Sequence, residues 1–217
     1  MQSSYKNFSG KELEEYINFQ LKNFFPDNKS HLNEIKLNLD DALDRTLFSI
    51  KHTKLPGYTE FHYLHSDLYA QFIYFLSNVV WNRSHDVTLA TKLFYLNKSL
   101  HGINCMYNTE LPNIFILIHC TGIVLGKAKY ADYFVACQNI TVGSDKGFSP
   151  EITGPLYMGP GSSLVGASVT GEFTHMSIGS SLLHVNVLDN SLVIGRGKSL
   201  EIKQLKRNLL KEVYFNF

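Results

Sequence analysis

Three cysteines in 217 residues, none of them in a C-x-x-C pair, are too few and too scattered for a disulfide framework or a zinc knuckle. Cys105, Cys120 and Cys137 therefore predict a reducing compartment. Net charge is almost missing as well. The formal balance is +1, so no long-range field recruits nucleic acid or an anionic membrane. No apolar run is long enough to cross a bilayer, and the polar stretch from Met1 to Lys11 lacks the apolar centre of a signal peptide. These absences predict a cytoplasmic globular protein, and 44% hydrophobic with 18% charged residues agrees. The length allows one large domain or two small ones. The fifteen Phe and twelve Tyr read as core and inter-subunit filling rather than as a base-stacking platform.

What is present is a count of six. Met158, Leu164, Thr170, Met176, Leu182, Leu188, Ile194 and Leu200 are evenly spaced, and all but Thr170 are large and apolar. Ser162, Ser168, Thr174 and Ser180 stand two residues before an anchor, where a tight corner needs small side chains. Gly159, Gly171 and Gly195 follow an anchor directly. Ile118, Val124, Tyr130, Ala136 and Val142 form a second run with the same spacing. Six matches neither the 3.6 of a helix nor the 2 of a half-exposed strand. It predicts a parallel β-helix of triangular coils with the anchors stacked inside. The alternative is a strand sandwich with fortuitous spacing. Val142 and Met158 are sixteen apart, out of phase, so the segment from Ser144 to Pro155 is expected to leave the coil and form a substrate wall.

The first hundred residues carry helical patterns. Ser9-Gly10-Lys11-Glu12 has capping-box spacing, and Leu13, Tyr16, Ile17, Leu21 and Phe24 follow before Pro26. A second helix is expected from about Ser30 to Ile50. A third opens at Ser66 or Asp67 and runs to about Trp81; a fourth runs from Asp86 to a stop at Gly102. The expected fold class is α+β: a helical domain over residues 1–104, a β-helix over 105–201, and a short amphipathic helix over 202–217 capping its end.

Leu93-Phe94-Tyr95-Leu96-Asn97, Glu110-Leu111-Pro112, the run His119-Cys120-Thr121-Gly122-Ile123-Val124-Leu125-Gly126, and Ile140-Thr141-Val142-Gly143 resemble the serine O-acetyltransferases of the hexapeptide-repeat superfamily. The likeness covers about residues 60 to 200. It implies a left-handed β-helix, acetyl-CoA as co-substrate without a metal, and transfer of acetyl to the hydroxyl of serine or a serine-like small acceptor. By the resemblance His119 is the general base, suited to that work by a pKa near neutrality, and Glu110 is the group that orients it, with Asn104 and Asn108 as alternatives. Backbone N–H groups near Gly143 would steady the oxyanion. Gly143, Gly166 and Ala167 would let the pantetheine arm approach; the plainer reading makes them corner residues that need a left-handed backbone. A cofactor groove between coils implies a homotrimer and leaves open whether trimers pair into a dimer of trimers.

One departure bears on the acceptor. Where the family has Arg-His-Pro-Lys-Ile to grip a carboxylate, this chain has Phe148-Ser149-Pro150-Glu151-Ile152. Ser149 and Asp67 are the substrate-binding candidates, although Asp67 also suits a helix N-cap. The altered loop favours a second reading, a sugar O- or N-acetyltransferase of surface-polysaccharide synthesis. A third is a non-catalytic trimeric scaffold. His175 and His184 fall in successive coils but in different phases, so no metal site is expected.

Overall fold

The computed structural model describes residues 10–217; Ser9 of the expected capping box lies outside them. Helix α1 (Gly10–Phe24) buries Leu13, Ile17 and Leu21, one stripe at intervals of four, and ends before Pro26. Helix α2 (Leu32–Lys51) buries Ile35, Leu39, Leu43 and Ile50. It begins after the expected Ser30 because that stretch is tied to α1: Asn18 Oδ1 accepts the His31 N–H at 2.9 Å and the Ser30 hydroxyl at 3.4 Å. Helix α3 (Ser66–Ser84) is buried on nearly every side, as an all-round apolar helix must be. Its cap is His65, whose Nδ1 accepts from the Leu68 N–H at 3.5 Å, rather than Ser66 or Asp67. Helix α4 (Val87–His101) is capped by Asp86, which accepts from Leu89 at 2.9 Å, and stops at Gly102 with φ +68°.

Thirteen short strands follow. In chain order they are β1 (Ile103–Asn104), β2 (Phe115–Ile118), β3 (Ile123–Leu125), β4 (Phe134–Cys137), β5 (Thr141–Gly143) and β6 (Glu151–Ile152). Then come β7 (Leu156–Met158), β8 (Ser163–Val165), β9 (Val169–Thr170), β10 (Thr174–Met176), β11 (Ser181–Leu183), β12 (Ser191–Ile194) and β13 (Glu201–Gln204). They stack into a three-sided parallel solenoid. The first face is β1-β3-β5-β8-β11 and the second is β2-β4-β7-β10-β12 with β13 added; the third is β6-β9 with bridges from Lys129 to Glu151 and from Thr170 to Val187.

Columns of fully buried side chains fill the prism. Leu125, Val142, Leu164 and Leu182 stack behind the first face, and Leu117, Ala136, Met158, Met176 and Val193 behind the second. Each large one contributes on the order of 1.5–3 kcal/mol. The count of six holds strictly from Ile152 to Leu182. Beyond that Leu188 is exposed and Val187 takes its place inside, because the last coil is one residue shorter: Met176 pairs with Val193. In the earlier run Leu125 and Leu117 point inward where Val124 and Ile118 were expected.

Both open ends are covered. The helices lie on the first coil, where the Phe115 carbonyl oxygen accepts from Ser49 Oγ and Gln71 Nε2, each at 2.8 Å. At the other end β13 runs antiparallel to β12 and closes the strand edge. Residues 202–204 are therefore strand where a capping helix was expected, and the helical turn covers only Leu210–Tyr214. That turn lies on the flank of the prism. Tyr214 O accepts from the Lys54 N–H at 2.8 Å, Asn216 donates to His52 O at 2.9 Å, and Phe215 is fully buried.

Candidate active site

One vertical edge of the prism, between the second and first faces, has four comparable corners. Three cross in six residues: Ala136 to Val142, Met158 to Leu164, and Met176 to Leu182. Their left-handed residues are Asn139, Gly161 and Gly179. The fourth crosses in eight, from Leu117 to Leu125; it keeps Gly122 at the matching left-handed position (φ +64°), and its two extra residues bulge outward with His119 at φ +53°. Such a backbone costs a side-chain-bearing residue about 1–2 kcal/mol. The compensation comes from α3. Asp67 accepts the His119 N–H at 3.0 Å and the Cys120 N–H at 2.9 Å, and Tyr58 Oη lies 2.8 Å from the same carboxylate. Burial alone would raise the Asp67 pKa, but hydrogen bonds from Cys120, Tyr58 and His119 outweigh it and hold the carboxyl below its usual range. Its place in the first turn of α3 adds the favourable end of the helix dipole.

Above this corner opens a cleft of about 540 Å³, lined among others by Tyr58, Leu64, Asp67, Ile118, His119 and Tyr214. His119 is exposed, and among the described residues no group hydrogen-bonds its ring nitrogens. Its backbone is clamped while its imidazole stays available, the arrangement a general base needs. Asp67 reaches the cleft as expected. Its carboxylate already accepts from the two corner N–H groups and Tyr58.

Glu110 does not meet His119. Its Oε1 accepts from Asn78 and Asn82, each at 3.3 Å. Asn78 lies eleven residues past Asp67 on α3, roughly 16 Å along the axis. The segment between β1 and β2 crosses that far end, pinned by the Tyr74 hydroxyl, which donates to Thr109 O at 2.7 Å and accepts from the Leu111 N–H at 2.9 Å. Asn104 sits beside Val124 in β1 and Asn108 is exposed; neither lines the cleft.

The remaining candidates share the edge between the first and third faces. Gly143 is open, since a side chain there would meet nothing nearer than Thr141 Cγ2 at 4.0 Å. Gly166 is not: a Cβ on it would fall 2.5 Å from the His184 ring. That imidazole spans the Gly166 rung. Its Nδ1 accepts the Ala167 N–H at 3.0 Å, so its proton sits on Nε2, which donates to Asp145 at 2.8 Å. The excursion is also shorter than expected. It is a tight hairpin, Asp145 to Phe148, turning through Lys146 (φ +48°) and Gly147 (φ +84°). Ile152 is already back inside, four residues late, and Ser149 Oγ lies 2.8 Å from Ser144 Oγ. None of Gly143, Ser149, Gly166 and Ala167 lines the His119 cleft. Among the described residues no three His, Cys, Asp or Glu side chains gather as a metal would need.

No family model matches the chain, and no curated protein matches it by sequence. Solved structures do. A serine acetyltransferase from Brucella abortus strain S19 superimposes with a TM-score of 0.68 at 19% identity, over 90% of this chain and 83% of that one. A Neisseria gonorrhoeae serine acetyltransferase in complex with serine gives 0.71 at 18%, over 90% and 85%. A serine acetyltransferase in complex with CoA gives 0.72 at 17%, over 89% and 84%. The chain has the fold of these proteins, helical region and β-solenoid together.

Proposed function

We propose that this protein is an acetyl-CoA-dependent O-acetyltransferase with His119 as general base. The observation that carries this reading is the bulged corner, which holds an unengaged imidazole at the mouth of a cleft. The neutral ring takes the proton of an acceptor hydroxyl as its oxygen attacks the thioester carbonyl. The tetrahedral intermediate then expels the thiolate, which recovers a proton from the imidazolium. Transfer leaves an acetyl ester and free CoA. Backbone N–H groups near Gly143 are the candidate oxyanion donors, a contribution of about 3 kcal/mol where such a donor has been removed elsewhere.

The His119 edge and the Gly143–Ala167 edge are separate within one chain, so the complete site needs two. The outer side of the first face supports a homotrimer. Val124, Thr141, Ser163, Val165, Ser181 and Leu183 project there and none is charged, whereas Lys129 and Glu151 form an exposed ion pair at 3.2 Å on the third. A reducing cytoplasm suits three buried free cysteines. The acceptor is serine or a serine-like hydroxyl compound, in line with the serine found on the Neisseria protein. A sugar hydroxyl is the second reading, favoured because among the described residues no Lys or Arg lines the His119 cleft and Phe148 and Ser149 form the hairpin flank. Thiol release from acetyl-CoA, measured first with serine and then with nucleotide sugars, separates the two. Release with neither, from folded protein, would reject the enzyme and favour a scaffold.

A further inference from the structure

The His119 cleft holds a second imidazole. His65 lines it across from Leu55 and Pro56, and the nearest atom that a Cβ on Gly57 would meet is its Nε2, at 4.0 Å. The ring is held in place from two sides. Tyr58 packs edge-on against it with centroids 4.9 Å apart, and Tyr58 Oη lies 2.8 Å from the carboxylate that clamps the His119 corner. Its Nδ1 accepts the Leu68 N–H at 3.5 Å, so the proton sits on Nε2 and makes that nitrogen a donor. Among the described residues nothing accepts it. The other polar side chains on the wall already have partners. Asp67 holds the corner, the Ser66 hydroxyl is hydrogen-bonded to the Cys120 thiol, and the Tyr214 hydroxyl to that of Tyr157. What is left to meet an incoming molecule is the pair of imidazoles.

We infer that His65 is an acceptor-binding residue: its Nε2–H donates to an oxygen of the acceptor that neighbours the reacting hydroxyl, while His119 takes that hydroxyl's proton. The inference rests on the acyl-transfer reading above. Such an oxygen belongs to the carboxylate of a hydroxy amino acid or to an adjacent hydroxyl of a sugar, and one N–H serves either. A single contact at His119 lets a small acceptor pivot about the reacting oxygen. A second fixed point removes that freedom and holds the hydroxyl in the attacking orientation. The cleft supplies the rest of the setting, since Leu55, Pro56, Leu64 and Ile118 give the acceptor's carbon skeleton apolar surface to lie on.

The test is steady-state thiol release from acetyl-CoA by the full chain, with serine and with UDP-glucose as acceptors. His65→Ser keeps an oxygen to cap α3 but loses the imidazole, so it should melt near the wild-type temperature. Its KM should rise about tenfold for whichever acceptor the wild type turns over, with the KM for acetyl-CoA within about twofold of the wild type. A rise with serine identifies the carboxylate as the group held, and a rise with UDP-glucose the neighbouring hydroxyl. His65→Gln, whose amide N–H reaches about as far as Nε2, should recover most of the loss. An unchanged acceptor KM in His65→Ser would overturn the inference and leave the acyl-transfer reading standing. So would an equal rise in the acetyl-CoA KM, or no recovery in His65→Gln. No thiol release by the wild type with either acceptor would reject that reading itself, and this inference with it.

Discussion

The corner at His119 and the three corners above it on the same edge are built for different ends. The upper ones cross in six residues and use Asn139, Gly161 and Gly179, residues that enter the left-handed region at little or no cost. The lower one crosses in eight, keeps Gly122 (φ +64°) at the matching position, adds a left-handed histidine, and depends on a carboxylate from α3. A regular corner is stabilised by its own coil. The irregular one is held by Asp67 of α3, so the helical region sets the geometry of the His119 corner as well as closing the first coil.

Breaking the clamp should have the largest effect on stability. Asp67→Ala leaves the buried Cys120 N–H and the part-buried His119 N–H unmet, each worth up to about 1–3 kcal/mol. Denaturant unfolding should therefore register a loss of roughly 2–5 kcal/mol, with turnover falling in whatever folded fraction remains. The other edge gives a smaller loss. Gly166→Ala adds a side chain at φ +69° and drives off the His184 ring, for about 1–3 kcal/mol. If it unfolds at the wild-type denaturant concentration, the ring does not rest there.

Acid should sharpen the contrast from another side. Burial pushes His175 and His101 each down to about 4, while in the unfolded chain both would titrate near 6.5. The unfolded state thus binds more protons between those values. Stability is full above pH 6.5 and falls as pH drops toward 4, with a slope approaching two protons from this pair and a further share from His31, which burial and Lys92 also hold below its ordinary value. Asp67, held low, stays ionised across that window. His175→Leu should flatten the slope by up to about one proton; an unchanged slope would remove His175 from the account. The smallest effect belongs to a regular corner. Asn139→Gly should shift stability by no more than about 1 kcal/mol and leave turnover alone.

Much of the solenoid was legible because its interior demands one large apolar side chain every six residues, as from Ile152 to Leu182. The phase was lost where both sides of a strand are covered. Ile116 and Leu117 are both buried, so Ile118 and Val124 could pose as anchors while two residues were added at the His119 corner and one dropped beyond Leu125. Leu188, 83% exposed, misled for the opposite reason, being an apolar residue on an outer corner. His119 was found through a local run of residues. Its clamp was not, because Asp67 and Tyr58 come from a helix start and a loop, and no spacing joins them to the corner. Glu110 was picked out by its likeness to the family's carboxylate before a Pro-containing turn; the chain carries it to the far end of α3.

The most direct measurement is the steady-state rate of thiol release from acetyl-CoA by His119→Ala, with folding checked by its melting curve. A general base at that position predicts a loss of at least about 100-fold with an unchanged melting temperature. Turnover equal to the wild type would contradict it.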